Sequence, residues 1–263
     1  SSPFISEKAF NKEGIMPEEH LWGPRDYFKG DFYKNTFCHF ASETGYHGFN
    51  SPQSLKRFLQ EPEKIFEEDG TPTAEYLVHA ASMELDEDAP YAYRIRLAHN
   101  QVITLFGKAE ENFDDFVRQS QISQAEAKKY FIEKFRIDKW KRTGIIWWNL
   151  LDGWPQVSDA VVDYYYVRKL AYHYIKRSQE PICLMFEEPE NGHIRLVGVN
   201  DLEKDTKVTY TIKKIADVSS GVAKRNVSDI VMSGTVELAA DSAIDLGVLS
   251  IEDEEKSFYL IEW

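Results

Sequence analysis

Two nearly uninterrupted apolar runs in the first 180 residues predict buried strands. The first, "NTFCHFASE", ends at Glu43, and the second extends from Gly144 to Leu150 and is ended by the turn at Asp152 and Gly153. Between and after these runs, apolar residues recur at helical spacing instead. Buried strands that are separated by helices are typical of a parallel α/β arrangement.

Helix signals separate the two runs and also follow the second. Ser51 and Pro52 form a helix start, in which the serine caps the first turn and the proline occupies its first position. On the helix before the second strand, Ala125, Ile132 and Phe135 fall on one face. Residues 1–35 are predicted to be irregular, and the predicted helices are "QSLKRFLQ", "TPTAEYLVHAASMEL", "YAYRIRLAHNQVITLFG", "SQISQAEAKKYFIEKFR" and "DYYYVRKLAYHYIKRS".

The pattern changes after Pro181. Short β runs separated by turn residues replace the helices, and no convincing helix remains in the pattern. This predicts an all-β, immunoglobulin-like sandwich with the runs "ICLMFEE", "HIRLVGVND", "KVTYTIKKI", "IVMSGTVEL" and "SFYLIEW". We therefore predict two domains, residues 1–180 and residues 181–263.

Both predicted strands of the first domain end in residues that can do chemistry. In a (β/α)8 TIM barrel, catalytic side chains lie at the C-terminal ends of the strands. A barrel needs eight strands and this domain supplies about two, so we predict that it is the C-terminal part of a TIM barrel. The chain starts without methionine and ends inside a predicted strand. We expect it to be a fragment of a longer polypeptide; a tag remnant or a processed N-terminus is the alternative.

Composition argues against several functional classes. Hydrophobic residues make up 43% of the 263 residues and aromatic residues 14%, which is enough for a sizeable core. A formal net charge of −13 argues against nucleic acid or an anionic membrane surface as a partner. The chain has no run of about 18 apolar residues that would span a bilayer. Its two cysteines, Cys38 and Cys183, form neither a disulfide framework nor the ligand spacing of a metal site, and we predict no metal.

Glu43 is the first candidate catalytic residue. On an alternating strand it shares a face with Ala41 and His39, and a barrel would place it at the inward-facing rim. A carboxylate there can attack an anomeric carbon or act as a general acid or base; the alternative is a rim residue in a structural hydrogen bond. His47 follows in "GYHG", where it can approach a ligand closely or simply occupy a turn.

Residues at the end of the second strand form another candidate group. Trp148, Asn149 and Asp152 are candidate ligand-binding residues, because an indole ring can stack on the apolar face of a sugar. Core packing is the alternative, and it must hold for one of the adjacent Trp147 and Trp148, whose side chains point to opposite sides. Trp22 lies in "HLWGPRD", which is either a binding loop or a surface loop with a buried tryptophan.

Taken in order, these motifs resemble glycoside hydrolase family 2, the family of β-mannosidases and β-galactosidases, and its β-mannosidase-like branch above all. The family's Ser-Glu-aromatic-Gly motif corresponds to Ser42-Glu43-Thr44-Gly45, and its Tyr-Trp-Gln-Leu-Asn-Asp-x-Trp-Pro motif to the segment 147–155. "SSPF" and "HLWGPRD" resemble its Ser-Ser-Pro segment and its His-Tyr-Trp loop, and "SQISQAEAKKYFIEKFR" resembles its helix before strand 8. The resemblance covers residues 1–180 well and the sandwich weakly.

The resemblance implies a retaining β-glycosidase in which Glu43 is the nucleophile and Trp22 and Trp148 line the sugar site. It implies a carbohydrate substrate and requires neither a metal nor an organic cofactor. The family's acid/base glutamate follows an asparagine on an earlier strand, which would lie upstream of residue 1. We therefore expect N-terminal domains of the same polypeptide as the partner of this chain, and we expect the chain alone to be inactive.

Three departures from the family pattern leave the identity of the sugar open: Thr44 replaces an aromatic residue, His39 stands where arginine is frequent, and Leu21 interrupts His-Tyr-Trp. The compartment is open as well, because an export signal would lie upstream. The alternative function is a non-catalytic carbohydrate-binding remnant of the same fold, which keeps the aromatic residues but lacks half of the catalytic pair. An unrelated α/β domain with chance matches is the third interpretation.

Overall fold

The chain forms two compact units in a computed structural model that describes residues 17–36, 38–67, 69, 71–86, 88–216, 228–251 and 257–263. The first unit comprises the described residues up to Ile132 together with Thr143–Ser178. The second comprises Glu133–Arg142 and Gln179–Trp263. The division into domains 1–180 and 181–263 stays a prediction; residues 133–142, which it places in the first domain, belong to the second compact unit.

A parallel sheet with helices around it forms the first unit. Its strands β1 (Glu18–Leu21), β2 (Phe40–Gly45) and β3 (Gly144–Trp148) follow the order β1-β2-β3. Because both neighbouring pairs are parallel, the C-terminal ends of the strands meet at one edge. The helices are α1 (Asp31–Lys34), α2 (Pro52–Leu55), α3 (Ala74–His79), α4 (Arg94–Phe106), α5 (Phe113–Ile137) and α6 (Leu170–Ser178).

Local capping chemistry determines where some of these helices begin and end. The helix start predicted at Ser51 is confirmed, because the Ser51 side chain accepts the N–H of Ser54 at 3.1 Å and Pro52 opens α2. Gly107 ends α4 in the left-handed conformation, with φ of 79°, and its N–H donates to the carbonyl oxygen of Ile103 at 2.8 Å.

Three predictions about strands are wrong in detail. The run "NTFCHFASE", residues 35–43, predicts a strand that ends at Glu43, but β2 begins at Phe40 and ends at Gly45. Of residues 1–35, which the sequence predicts to be irregular, residues 1–16 with the segment "SSPF" lie outside the described part of the chain, and the remainder contains β1 and α1. The four residues of β1, Glu18–Leu21, are too few and too polar for a recognisable strand pattern. The strand predicted to reach Leu150 ends at Trp148. The next carbonyl oxygen, that of Asn149, accepts the N–H of Val161 at 3.1 Å, so the chain pairs with the following loop instead of continuing the sheet.

The last helix of the first unit begins at Leu170, seven positions later than the predicted segment "DYYYVRKLAYHYIKRS". The reason lies in Asp163, whose Oδ1 accepts the N–H groups of Tyr165 at 2.9 Å and Val167 at 3.0 Å. Such side-chain bonds stabilise a turn in competition with a helix. Further along, Ala171 and Ile175, which lie four positions apart in the apolar stripe of that segment, are buried.

The second unit contains two antiparallel sheets, ordered β4-β5-β8 and β7-β6-β9, whose facing sides share a core that includes Leu196, Ile212 and Leu238. The strand β8 was not predicted, because Asp245 and Gly247 interrupt its apolar run. The strands are β4 (Ile182–Phe186), β5 (His193–Asn200), β6 (Thr206–Ala216), β7 (Ser228–Leu238), β8 (Ser242–Ser250) and β9 (Ser257–Glu262).

Residues 133–142 cover the outer face of the β4-β5-β8 sheet. Lys139 Nζ donates to Asp201 Oδ1 at 2.7 Å and to Asp241 Oδ1 at 2.6 Å. Beside these ion pairs, Ile137 packs on a second apolar cluster formed by Cys183, Met185, Val197 and Val199. The strands β4 and β5 are therefore largely buried on both faces.

We expect Leu196→Ala to lower the free energy of unfolding by about 2–5 kcal/mol, because it leaves a cavity between the two sheets. Leu260→Ala, the same change at a side chain that is 45% exposed, is the matched control and should cost far less. Urea unfolding followed by circular dichroism measures both. Equal losses would contradict the assignment of Leu196 to the core.

Candidate active site

The candidate site lies where the C-terminal ends of the three parallel strands come together. The strand register places His20 opposite Glu43 and Gly45 opposite Trp148. In open parallel sheets, ligands bind at the carboxyl ends of the strands. The fold thus brings together the two motifs, around Glu43 and Trp148, that the sequence singled out separately.

Glu43 is held at this edge by two side chains from the end of β1 and the loop after it. The indole Nε1 of Trp22 donates to Glu43 Oε2 at 2.7 Å. His20 Nδ1 lies 3.5 Å from the same oxygen, and about a third of the Glu43 side chain is exposed. A carboxylate oriented through one oxygen while part of the group remains accessible is suited to nucleophilic attack.

His20 also connects Glu43 with a second carboxylate. Its Nε2 lies 3.5 Å from Glu18 Oε1, and the same oxygen of Glu18 accepts a hydrogen bond from the Ser42 hydroxyl. Glu18 is buried. Its contacts therefore fit a role in holding His20 and β2 in place.

Trp22 is fixed from two sides. The guanidinium of Arg25 lies 4.6 Å from the centroid of its ring, a cation–π contact. On the other side the ring packs against Gly45, where a Cβ atom would lie 2.6 Å from the indole and 2.7 Å from Asp159 Oδ1. The glycine of the Ser-Glu-Thr-Gly motif is thus needed for the close approach of Trp22 and Asp159 to the strand.

Asp159 is the centre of a buried charge cluster beneath this edge. Its Oδ1 binds Arg25 Nη2, and its Oδ2 lies 3.2 Å from His47 Nε2. Burial alone would raise the pKa of Asp159, but His47, Arg25 and Lys128 together hold that pKa below its ordinary value. Burial lowers the pKa of His47, and Asp159 partly opposes the shift. Asp159 is therefore ionised at neutral pH.

Two buried lysines tie the loops of the site to the rest of the unit. Lys128 Nζ donates to the carbonyl oxygen of Trp148, and Lys169 Nζ donates to that of Gly48 at 2.7 Å. Burial lowers the pKa of Lys128 to about 7, although Asp159 partly opposes the shift. Burial also lowers the pKa of Lys169. Sequence reasoning missed both lysines and Asp159.

The other predicted site residues differ in their access to a ligand. Trp148 is 48% exposed at the end of β3, whereas His47 and Asp152 are each 2% exposed. Asp152 Oδ1 accepts hydrogen bonds from the side chains of Gln156 at 2.9 Å and Ser158 at 2.5 Å. The part-buried Asn149 contributes its backbone oxygen to the loop. The structure thus places Glu43, Trp22 and Trp148 where a ligand can reach them and buries His47 and Asp152 behind them.

Within the described part of the chain, no group of three or more His, Cys, Asp or Glu residues could hold a metal ion. Across the same residues, no helix combines the length and the apolar character needed to cross a bilayer.

Curated proteins share sequence with this chain. Beta-mannosidase B of Aspergillus terreus is 25% identical over 153 residues, which cover 51% of this chain and 18% of that protein. Beta-mannosidase B of Thermothelomyces thermophilus is 28% identical over 120 residues, which cover 42% of this chain and 13% of that protein. No protein-family model matches the chain. The chain thus spans less than a fifth of the length of these relatives.

Solved structures share the fold. The β-D-mannosidase of Dictyoglomus thermophilum matches 93% of this chain and 28% of its own with a TM-score of 0.67 and 24% identity. The exo-chitosanase of Amycolatopsis orientalis matches 94% of this chain and 30% of its own with a TM-score of 0.62 and 18% identity.

The chain resembles glycoside hydrolase family 2. The resemblance drawn from the ordered motifs is thus confirmed by the shared sequence and the shared fold. Its mixed helix and sheet content also agrees with the fold of the family 2 enzymes.

We expect Lys128→Met to flatten the rise of stability between pH 7 and pH 9. The folded chain holds this ammonium at a pKa of about 7, whereas an unfolded chain holds it near 10.4. The unfolded state therefore binds more protons in this range, and the free energy of unfolding rises with pH, by about 2 kcal/mol for this group.

Urea unfolding followed by tryptophan fluorescence at the two pH values measures this effect. Lys176→Met, at an exposed lysine on α6, is the control and should keep the wild-type rise. A wild-type rise in Lys128→Met would show that the Lys128 ammonium is not desolvated in the folded chain.

Proposed function

We propose that this chain is part of the catalytic domain of a retaining β-glycosidase, with Glu43 as its nucleophile. The observation that carries the proposal is the position of Glu43 at the strand end, partly exposed, with Oε2 held by the indole N–H of Trp22 at 2.7 Å. The fold shared with a β-D-mannosidase structure supports it.

In the proposed reaction, a Glu43 carboxylate oxygen attacks the anomeric carbon of a β-glycoside. The bond from that carbon to the leaving oxygen breaks, and a glycosyl ester of Glu43 forms with inversion. Water then attacks the same carbon from the opposite face and releases Glu43, so that two inversions give net retention. Trp22 orients the carboxylate, and the exposed Trp148 forms a wall of the sugar site.

The second carboxyl group of this chemistry has to lie about 5–5.5 Å from the first. We propose that it comes from the part of the relatives' length that this chain does not cover, and that residues 1–180 are the C-terminal part of a TIM barrel whose earlier strands carry it. The second unit is then an immunoglobulin-like sandwich domain. The chain alone would lack activity on unactivated glycosides.

We propose a β-mannoside as the substrate, because the curated relatives are β-mannosidases. Trp22, Trp148 and Asn149 are the candidates for contact with the sugar. His47 and Asp152 are too deeply buried for such contact. We propose that they support the loops that carry the contacting residues.

We expect 2-deoxy-2-fluoro-β-mannosyl fluoride to label Glu43 in the full-length protein. Fluoride leaves without protonation, so the first step does not require the acid/base residue, and the fluorine at C2 slows release of the ester. Peptide mass spectrometry locates the adduct, the gluco and galacto analogues test the sugar, and Glu43→Gln should remain unlabelled.

A different labelled carboxylate would contradict the assignment of Glu43. If a folded protein bound glycans but formed no adduct with any of the three sugars, it would instead fit the non-catalytic carbohydrate-binding remnant.

We expect Trp22→Phe to slow the labelling of Glu43 roughly tenfold or more, because a hydrogen bond to a charged group contributes about 1.5–3 kcal/mol. Phenylalanine keeps a ring beside Arg25 but removes the donor. Trp154→Phe is the control, since its indole N–H donates to Gln156 and not to Glu43. Time courses of adduct formation measure both variants. An unchanged rate in Trp22→Phe would show that this hydrogen bond does not contribute to the reaction.

A further inference from the structure

An open pocket of about 510 Å³ lies beyond the ends of β2 and β3, and neither Glu43 nor Trp22 lines it. Its volume is in the range of small-molecule binding sites. Its walls come from the segment that follows α2 and from the loop that follows β3. The lining residues are Arg57, Leu151, Asp152, Gly153, Tyr164, Tyr165 and Tyr166.

The three tyrosines are presented by a fixed turn. Asp163 is fully buried, and its Oδ1 accepts the N–H groups of Tyr165 and Val167. Its carbonyl oxygen accepts the N–H of Tyr166 at 2.9 Å. Tyr166 has a φ of 63°, in the left-handed region that bulky residues rarely adopt. Such conformations persist where the surroundings enforce them and are frequent at ligand sites.

This turn leaves aromatic surface exposed. Tyr166 is 78% exposed and Tyr164 is 44% exposed. Tyr165 is packed: the guanidinium of Arg57 lies 3.8 Å from its ring centroid, and the ring of Phe58 stacks on it at 6.2 Å. The pocket thus has a rigid aromatic wall with two accessible rings next to it.

The chemistry of the lining selects a class of ligand. Tyrosine rings provide flat apolar faces, and their hydroxyl groups and the Arg57 guanidinium provide hydrogen-bond donors beside those faces. The lining contains one basic side chain, Arg57, and one acidic side chain, the buried Asp152, which acts through its charge and not through contact with a ligand; the lining therefore has no excess of either charge. A neutral sugar matches this combination, because its ring has an apolar C–H face and a rim of hydroxyl groups.

We propose that this pocket is a second carbohydrate-binding site, separate from the groups around Glu43, which binds one neutral sugar residue of a glycan on Tyr164 and Tyr166. The choice of ligand rests on the proposed function. The lining residues determine which chemical groups a ligand must offer, and the proposed glycosidase activity identifies a carbohydrate as the class of ligand. The fixed turn makes the site preorganised, so binding would not have to order the tyrosines.

The test is titration calorimetry of the 263-residue chain with β-1,4-mannotriose, cellotriose and the anionic trigalacturonate. Tyr164→Ala combined with Tyr166→Gly removes both exposed rings, and glycine tolerates the positive φ, so the turn should be retained. We expect a neutral trisaccharide to bind the wild type and to bind this variant roughly tenfold more weakly. Tyr91→Ala, at another exposed tyrosine, should bind as the wild type does.

Several outcomes would overturn the proposal: no neutral trisaccharide binds, trigalacturonate binds more tightly than the neutral sugars, or the double tyrosine variant binds as tightly as the wild type. Circular dichroism of the variants checks that the fold is retained, and Tyr166→Phe, which keeps the ring, should preserve most of the affinity. Labelling of Glu43 is a separate readout. If Glu43 is not labelled but the trisaccharide still binds the pocket, only the glycosidase proposal is contradicted. If Glu43 is labelled but no trisaccharide binds the pocket, only the proposal of a second carbohydrate-binding site is contradicted.

Discussion

The buried carboxylate of Asp159 is the constraint on which the candidate site depends. An ionised group without water must be paired, and here Arg25 from the loop after β1 and His47 from the loop after β2 pair with an aspartate from the loop after β3. Three loops are therefore held at one point. Because Arg25 also lies on the ring of Trp22, the same cluster determines how the indole N–H meets Glu43.

This arrangement leaves no room for a side chain at the end of β2. Gly45 lies between the indole and Asp159, where a methyl group would overlap both. The cationic side of the cluster extends to Lys128, which donates to the backbone of Trp148. The ends of β2 and β3, which carry the exposed candidates Glu43 and Trp148, are thus both connected to the buried carboxylate of Asp159.

Much of the fold could be predicted from the sequence, because local signals dominate there. The existence of a strand around Glu43, the cap at Ser51 and most of the β runs after Pro181 follow from apolar patterning and turn chemistry. The late start of α6 could not be read from its apolar stripe, because one side chain, Asp163, redirects the backbone. For β1, four residues with two glutamates carry too little pattern.

The candidate site was harder to predict. Glu43 could be recognised because it ends a buried run, but the ion pair of Arg25 and Asp159 joins residues 134 positions apart. Lys128 did leave a signal: it lies three residues after Ala125 and four before Ile132, on the buried face of α5. A lysine on an apolar face is a recognisable anomaly, and here it marks the support of the site.

The way residues 133–142 complete the second unit limits how the sandwich could be transferred from one protein to another by recombination. Its β4-β5-β8 sheet is covered on the outer side by residues 133–142, which precede β3 in the chain. The unit is therefore discontinuous in sequence. A recombination event at the linker near residue 180 would transfer the strands without Ile137 and Lys139, leaving an apolar sheet face bare and Asp201 and Asp241 without their cation. The sandwich can be inherited as a module only together with the end of α5.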